Sequence, residues 1–449
     1  MSAETEQSSS GSLERSAGRG LVLLFVIGNL LGAGIYAIVG EVAGETGGAL
    51  WAAFLAAAVL SVPTLLAYVE LMTTYPQAGG AGLYVAKAFA RPWLTVTVVV
   101  AIAASALTSA ATSARAFAGG YLGAFVDLPV VPVAVVFVVV LAAVNFVGIS
   151  ESLVFTAVMA VITVAGLLLV VGVGAAAVAD GSADLSRLTE FSGDTAVPLA
   201  VLGGAALAFF AFIGFEDTAQ IAEEVREPRR TLPFGILLGV GVTTVVYLLV
   251  AVASSVVLPT EELAGSEGPL LRVVETSGVP GEVISAVALV ALTKTALVQQ
   301  VAASRLLFGV ARRGLLPSAL ARVHASRRTP WVAVVLAGAV AVVLVSTGEL
   351  GGLADTTVML LLTVFVLVNV CVLRLRSDDV DREHFRVPTW LPVAGALVSA
   401  GLVVYTGATS GVEVLLRYAA LLGGGLAVYG LQRVLAPHVE QLDEERLKG

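Results

Sequence analysis

Twelve apolar stretches of about 18 to 30 residues, separated by short polar segments, dominate this sequence and restrict what it can become. They run approximately over 20–40, 48–73, 92–125, 130–147, 153–179, 197–222, 232–258, 280–310, 331–347, 353–373, 390–409 and 413–434. At about 1.5 Å per residue, helices of that length cross the roughly 30 Å hydrocarbon core of a bilayer. Composition agrees: 58% of the 449 residues are hydrophobic and 13% charged, with a mean hydropathy of +0.96. Soluble domains carry about 25% charged residues. The fold class expected is an all-α polytopic membrane protein with twelve transmembrane helices.

Loop charge gives the orientation. With the N-terminus inside, 19 of the Lys and Arg residues fall on the cytoplasmic side, among them Lys87, Arg91, Arg226, Arg229, Arg230, Arg312, Arg313 and Arg374. Only Arg187, Arg272 and Arg417 fall outside, so both termini are expected in the cytoplasm of a cell that carries the chain in its plasma membrane. The outer loops are acidic, with Asp180, Asp184, Glu190 and Asp194 in one and Glu261, Glu262, Glu267, Glu275 and Glu282 in another. The second is long enough for a short helix over an outer vestibule. Residues 1–18, rich in Ser and Glu, read as a disordered cytoplasmic tail without a cleavable signal, and 436–449 as a second tail.

Several function classes drop out. The single cysteine, Cys371, lies in an apolar run, and the histidines (His324, His384, His438) lie in polar segments, which leaves no Cys- or His-based metal site. No nucleophile–base pair or nucleotide loop is visible, so neither an enzyme, a cofactor nor a nucleic-acid partner is expected.

Two stretches depart from plain membrane anchors. The first contains Ile27-Gly-Asn-Leu-Leu-Gly-Ala-Gly-Ile-Tyr36, with Gly28, Gly32 and Gly34 inside seven residues. Each glycine costs a helix about 1 kcal/mol relative to alanine, so the helix is invited to open; close packing through small-xxx-small spacing is the competing account. The sixth stretch has Gly214 in mid-membrane, followed by Phe215, Glu216 and Asp217. Buried acids beside a break normally face a cavity or a partner. Because the sixth span follows the first at an offset of five, an odd number, a repeat of five would be inserted upside down, and matching breaks in inverted halves point to a midplane transport site. The organisation expected is inverted repeat 1 at 19–180, inverted repeat 2 at 197–374, and two further helices at 388–435, with helices 1 and 6 broken.

These residues resemble the amino acid–polyamine–organocation transporters, and within them the amino acid permeases, over about residues 13 to 376. The first-span sequence resembles that family's Gly-Ser/Ala-Gly-Ile-Phe signature, and Tyr75-Pro76, Gly79-Gly80 and Tyr84 resemble its Pro-x-x-Gly-Gly-x-Tyr loop. Phe212-Ile213-Gly214-Phe215-Glu216 with Glu223-Glu224 and Pro228-Arg229-Arg230-Thr231-Leu232-Pro233 resembles its sixth-span motif and the loop that follows. Ser304-Arg305 through Pro317 resembles the end of its eighth span. The resemblance implies a LeuT-like fold and a secondary active amino acid transporter working by alternating access, as a symporter or antiporter.

A free amino acid is a zwitterion, and opened helix ends can desolvate both its charges: N–H groups take the carboxylate and carbonyls take the ammonium. The resemblance implies the N–H groups around Gly32, Ala33 and Gly34 for the first. It implies the carbonyls of Ile27, Phe210, Ala211 and Ile213 for the second, with Phe210 as an aromatic gate and Phe209 and Phe212 as packing. Glu216 is the candidate titrating acid for pH-sensitive gating; alternatively it only hydrogen-bonds backbone freed at the break.

Coupling departs from the family pattern. Proton-coupled relatives place a lysine on the fifth span where sodium-coupled ones bind the ion, and counting from Gly148-Ile149-Ser150-Glu151-Ser152 puts Thr163 there instead. Lys294 lies inside the eighth span, about 21 Å from its outer end by helical rise. The expectation is that Lys294 supplies the missing cation near the carbonyls of Gly28 and Leu31, with Thr163 and Thr295 as neighbours and the proton rather than sodium as coupling ion. The alternative is a structural pairing of Lys294 with Glu216 or another acid. Arg305 is expected to snorkel to headgroups and Arg115 to meet the acidic outer loops. Two other functions stay open: a carrier of polyamines or organic cations, and a sensor or assembly subunit that kept the fold without transport.

Overall fold

The computed structural model describes residues 17–148, 153–193, 196–378, 380 and 383–435. The Ile149–Ser152 part of the counting motif and most of both tails lie outside the described residues. Among them the chain is helical, with no β-strand beyond a single bridge between Ala17 and Val225.

The first span is two helices, Arg19–Leu30 (α1) and Ala33–Thr46 (α2), bent by 41°. Leu50–Thr74 (α3), a short Gly80–Phe89 (α4), Pro92–Ala116 (α5), Val130–Val147 (α6) and Leu153–Asp180 (α7) follow. A π-helical turn, Phe117–Tyr121, prolongs α5. Val197–Ala208 (α8) gives way to a broken segment up to Gln220 and is followed by Pro228–Val257 (α9). Thr260–Ala264 (α10) and Pro269–Glu275 (α11) are short; Gly281–Arg312 (α12), Trp331–Thr347 (α13), Leu350–Leu375 (α14), Trp390–Thr409 (α15) and Val412–Leu435 (α16) complete the chain.

Among the described residues ten helical segments are long and apolar enough to cross a membrane, α8 counted together with its continuation to Gln220, and the bent α1–α2 pair makes eleven. The one expected stretch left over, the ninth, is α13, whose bounds coincide with the expected 331–347 but whose 17 residues rise only about 25 Å. The protein is a multi-pass membrane protein. Successive spans reverse direction, which gathers the loops near 75–91, 221–230, 312–330 and 376–389 on one face, called basic below after its arginines. The loops near 181–196 and 258–280 form the opposite, acidic face, where α10 and α11 take the place of the single short helix expected.

Small residues set how closely the spans meet. A Cβ on Gly235 or Gly239 of α9 would lie 2.6 Å from a methyl of Val22 or Val26 on α1, so two valines one turn apart fit a two-glycine groove. On the acidic face a Cβ on Gly40 would meet the Leu263 carbonyl at 2.7 Å, and one on Gly120 would meet Gly268 Cα at 2.7 Å. The α10–α11 segment therefore lies directly on α2 and on the π-helical turn. Among the described residues no ion pair joins Arg115, just before that turn, to the acidic loops: its Nε is buried without a hydrogen-bond partner, while the Glu267 carboxylate lies over Gly119. Arg305 is exposed on α12, compatible with snorkelling.

At the basic face one buried ion pair ties three segments together. Arg376 Nε and Nη2 donate to the two Glu70 oxygens at 2.8 and 2.7 Å, and the Val387 N–H donates to the same carboxylate at 2.8 Å. The side chains are 11% and 3% exposed. Removing one member leaves the other charge buried, which costs about 3–5 kcal/mol, whereas removing both costs less. Thermal unfolding of purified protein in detergent is expected to rank wild type above the double variant Glu70→Ala/Arg376→Ala, and that above Glu70→Ala alone.

Candidate functional site

The site begins with two failures of helical hydrogen bonding. Helix α1 closes at Leu31, whose N–H donates to the Ile27 carbonyl at 2.8 Å, and Gly32 then adopts a non-helical conformation before α2 starts at Ala33. In the second break, α8 tightens into a 3₁₀ turn at Phe209–Phe212, Ile213 is extended, and Gly214 has φ of +130°. A side chain at Gly214 would be strained there, so glycine permits the turn. A further 3₁₀ turn, Glu216–Gln220, carries the chain onward.

Gly34 brings the two breaks into contact. A Cβ at Gly34 would lie 2.7 Å from Ala211 Cα, too close for any side chain. Around this contact, side chains replace the lost helical bonds. The Tyr247 hydroxyl of α9 lies between the carbonyls of Leu30 and Ala211, 3.1 Å from the latter. Asn29 Nδ2 lies 3.4 Å from both the Gly214 carbonyl and Asp217 Oδ2. The Gly214 N–H donates to Glu216 Oε2 at 2.9 Å, and the Ala33 N–H to Thr295 Oγ1 at 3.2 Å.

A small cleft opens where the breaks meet. Of the residues expected in the site, Gly32, Ala33, Gly34, Phe210, Ala211, Ile213, Lys294 and Thr295 line it. Gly28 contributes from behind: its carbonyl accepts a hydrogen bond from Lys294 Nζ at 2.6 Å. Ile27 and Leu31 close the end of α1 and do not line the cleft. Thr163 is buried outside it; its hydroxyl bonds back to the Met159 carbonyl, and its own carbonyl accepts from Tyr36. Glu216 lines a neighbouring, larger cavity, which reaches Ala78–Ala81 on the basic face.

The backbone groups are less bare than expected. Besides Ala33, the Gly32 N–H is engaged, donating to the Leu30 carbonyl at 2.8 Å, while the Phe210 carbonyl accepts from the Ile213 N–H at 3.3 Å. The N–H of Gly34, in the first turn of α2, is one of those a helix leaves without an internal acceptor. Phe212 packs edge-on to Tyr247 and Phe209 beside Phe365, so both are wall aromatics, with Phe210 the member of that run that faces the cleft.

The list drawn from sequence lacks Asn29, Ser109, Asp217 and Gln299, which also line the cleft. A signal existed for some. Gln299 and Gln300 are adjacent amides in the middle of an apolar span, and Asp217 sits beside the second break; polar groups at that depth are costly unless used. Ser109 carried no comparable mark, because serine bonds easily to its own helix backbone.

The sequence profile described as amino acid permease matches residues 21–421. An uncharacterized transporter of Mycobacterium tuberculosis is 31% identical over 428 residues, covering 93% of this chain and 91% of that one. A branched-chain amino acid permease of Bacillus subtilis is 29% identical, covering 88% of this chain and 86% of its own. A methylthioribose transporter of the same organism is 29% identical with 89% of each chain covered. A match over nearly the whole described length, on a chain whose first and sixth spans are both interrupted, places the protein in the amino acid permease family of membrane transporters.

Proposed function

We propose that this transporter carries free amino acids across the plasma membrane by alternating access, with both termini in the cytoplasm and proton-coupled symport or exchange as its mode. The observation that carries the reading is the contact of two interrupted spans at one cleft, whose lining holds both a basic and an acidic side chain. Lys294 and the first turn of α2 present positive charge and N–H groups to a carboxylate. Asp217 and the carbonyls of the Phe210–Ile213 turn present oxygen to an ammonium. The names of relatives that carry branched-chain or cationic amino acids support the same cargo. Residues 19–180 and 197–374 act in this reading as inverted halves, each contributing one broken span. The neighbouring cavity leads to the basic face, which fits a state open to the cytoplasm.

A carrier of polyamines is the second reading, and the N-terminus of α2 at the cleft is what disfavours it, since an amine without a carboxylate offers its N–H groups no anionic acceptor. In proteoliposomes, uptake of labelled amino acids should be inhibited by unlabelled ones and about tenfold less by the matching decarboxylated amines, the discrimination one charge-assisted hydrogen bond supplies. Equal inhibition by the amines would reject the carboxylate end, and absence of uptake across the common amino acids would favour a non-transporting role.

Lys294 is the proposed coupling group. It occupies, against the carbonyl of Gly28, the position at which a bound cation would steady the end of α1. Lys294→Ala is expected to lose accumulation driven by an imposed pH gradient while exchange of labelled for unlabelled substrate continues. Unchanged pH-driven accumulation would leave the lysine a structural role.

Gly34→Ala tests the contact of the two breaks. Its added methyl must displace Ala211, an overpacking of about 1–3 kcal/mol, so uptake should fall about tenfold or more although the protein still purifies as a folded species.

A further inference from the structure

Leu30 and Ala211 both line the cleft, one at each break, and the hydroxyl of Tyr247 lies within hydrogen-bond reach of both their carbonyls. The ring is held in place: Tyr247 is fully buried, with Phe212 edge-on to it at 5.4 Å and Phe54 tilted against it at 5.9 Å. A phenol carries one proton, so it serves one of the two carbonyls at a time. The acceptors are not equally placed. The Leu30 carbonyl also accepts the Gly32 N–H at 2.8 Å, whereas no backbone N–H among the described residues is bonded to the Ala211 carbonyl. The Gly32 bond closes over Leu31, at φ −76° and ψ 56°, which makes an inverse γ-turn. So small a ring bends the N–H···O angle, and a bent bond is weaker and more readily exchanged.

Two arrangements leave neither carbonyl without a donor. In the empty cleft the Gly32 N–H serves Leu30 and the Tyr247 hydroxyl serves Ala211. Once an ammonium donates to the Ala211 carbonyl, the hydroxyl can serve Leu30 instead, and the N–H of Gly32, a residue of the cleft wall, is released to a carboxylate. A carboxylate arriving alone has no such exchange. It draws the Gly32 N–H away from Leu30, one hydroxyl then faces two buried carbonyls, and the one left without a donor is costly.

We propose that Tyr247 is a positioning residue that passes the arrival of an amino group at the second break to the first, where it frees the Gly32 N–H for a carboxylate. The proposal rests on the amino acid carrier reading and adds to it a reason for the cleft to take the two charges of a zwitterion together. No covalent bond changes in the relay; only hydrogen-bond partners are exchanged.

The test is competition binding to the purified full chain by three sets of compounds, each an amino acid with the acid that lacks its α-amino group and the amine that lacks its α-carboxylate. The sets are L-leucine, isocaproate and isoamylamine; L-lysine, aminocaproate and cadaverine; and L-glutamate, glutarate and γ-aminobutyrate. In Tyr247→Phe the Ala211 carbonyl loses its hydroxyl, and an incoming amine supplies the missing donor. The amine of a set that binds should therefore bind about tenfold more tightly than to wild type, as one buried hydrogen bond implies, while the amino acid and the acid change little. A tyrosine that only braces the wall would weaken all three members together; that result, or an unchanged preference for amino acid over amine, would overturn the proposal. A second measurement needs no variant. On the wild-type chain, methylammonium should tighten binding of the same set's acid by about tenfold relative to an equal concentration of potassium, because the amino group and the carboxylate favour each other reciprocally. Equal binding in the two salts would overturn the relay even where Tyr247→Phe does not fold. Failure of leucine, lysine and glutamate alike to bind the wild type would overturn the carrier reading itself, and the relay with it.

Discussion

The absence of one carbon atom, the Cβ that Gly34 does not have, is the constraint on which the rest of the structure depends. Ala211 Cα occupies the space beside it, so the unwound parts of the first and sixth spans touch rather than being held apart by side chains. Lipid cannot hydrogen-bond exposed peptide groups, and an isolated break in a membrane helix is therefore unfavourable. Two breaks that shield each other and share a polar cleft are a different matter: each provides the non-lipid surroundings that the other requires.

Mutual shielding does not by itself replace the missing helical hydrogen bonds, and the side chains that do so come from several elements. Tyr247 reaches from α9 to the carbonyls on either side of the contact, Asn29 leans across from α1 to the Gly214 carbonyl, and Glu216 folds back to the Gly214 N–H. Thr295 from α12 holds the Ala33 N–H. A cargo carboxylate that takes the Ala33 N–H must displace a hydroxyl, a neutral acceptor, and gains from the exchange because charged acceptors bind N–H groups more strongly. A site whose backbone groups rest on replaceable neutral partners can empty without stranding a buried N–H, which a carrier needs in every cycle.

The spans and their order were legible in the sequence because a bilayer imposes a length that few other constraints mimic. The expected bounds of α6, α13 and α15 coincide with those of the structure. The breaks were legible for a related reason: Gly28, Gly32, Gly34 and Gly214 stand out in a medium where helix is the default. What stayed hidden depends on contacts between distant positions. Asn29 and Asp217 are 188 residues apart, and nothing in either neighbourhood announces the other. Tyr247 reads as an ordinary aromatic of an apolar span, and its role follows only from the packing of α9 against α1 through Gly235 and Gly239. Thr163 shows the converse. Counting along the fifth span assigned it to the coupling position, yet it satisfies its hydroxyl within its own helix, as a buried threonine readily does.

Lys294 brings these strands together. A soluble cation that bridges the end of α1 to α12 can leave, and its departure lets the two helices separate; a lysine fixed to α12 cannot leave. What it can lose is a proton, and with it the charge that makes its bond to the Gly28 carbonyl strong. The bond joins an element whose next turn forms the cleft wall to a helix that carries Thr295 and Gln299 on the same wall. Cargo and proton would then act on one junction from opposite sides, the first through Gly32–Gly34 and the second through Gly28, only a few residues apart along one interrupted strand of backbone. If Lys294 has the coupling role proposed for it, no long pathway through the protein would be required, because the two ligands would bias the same joint.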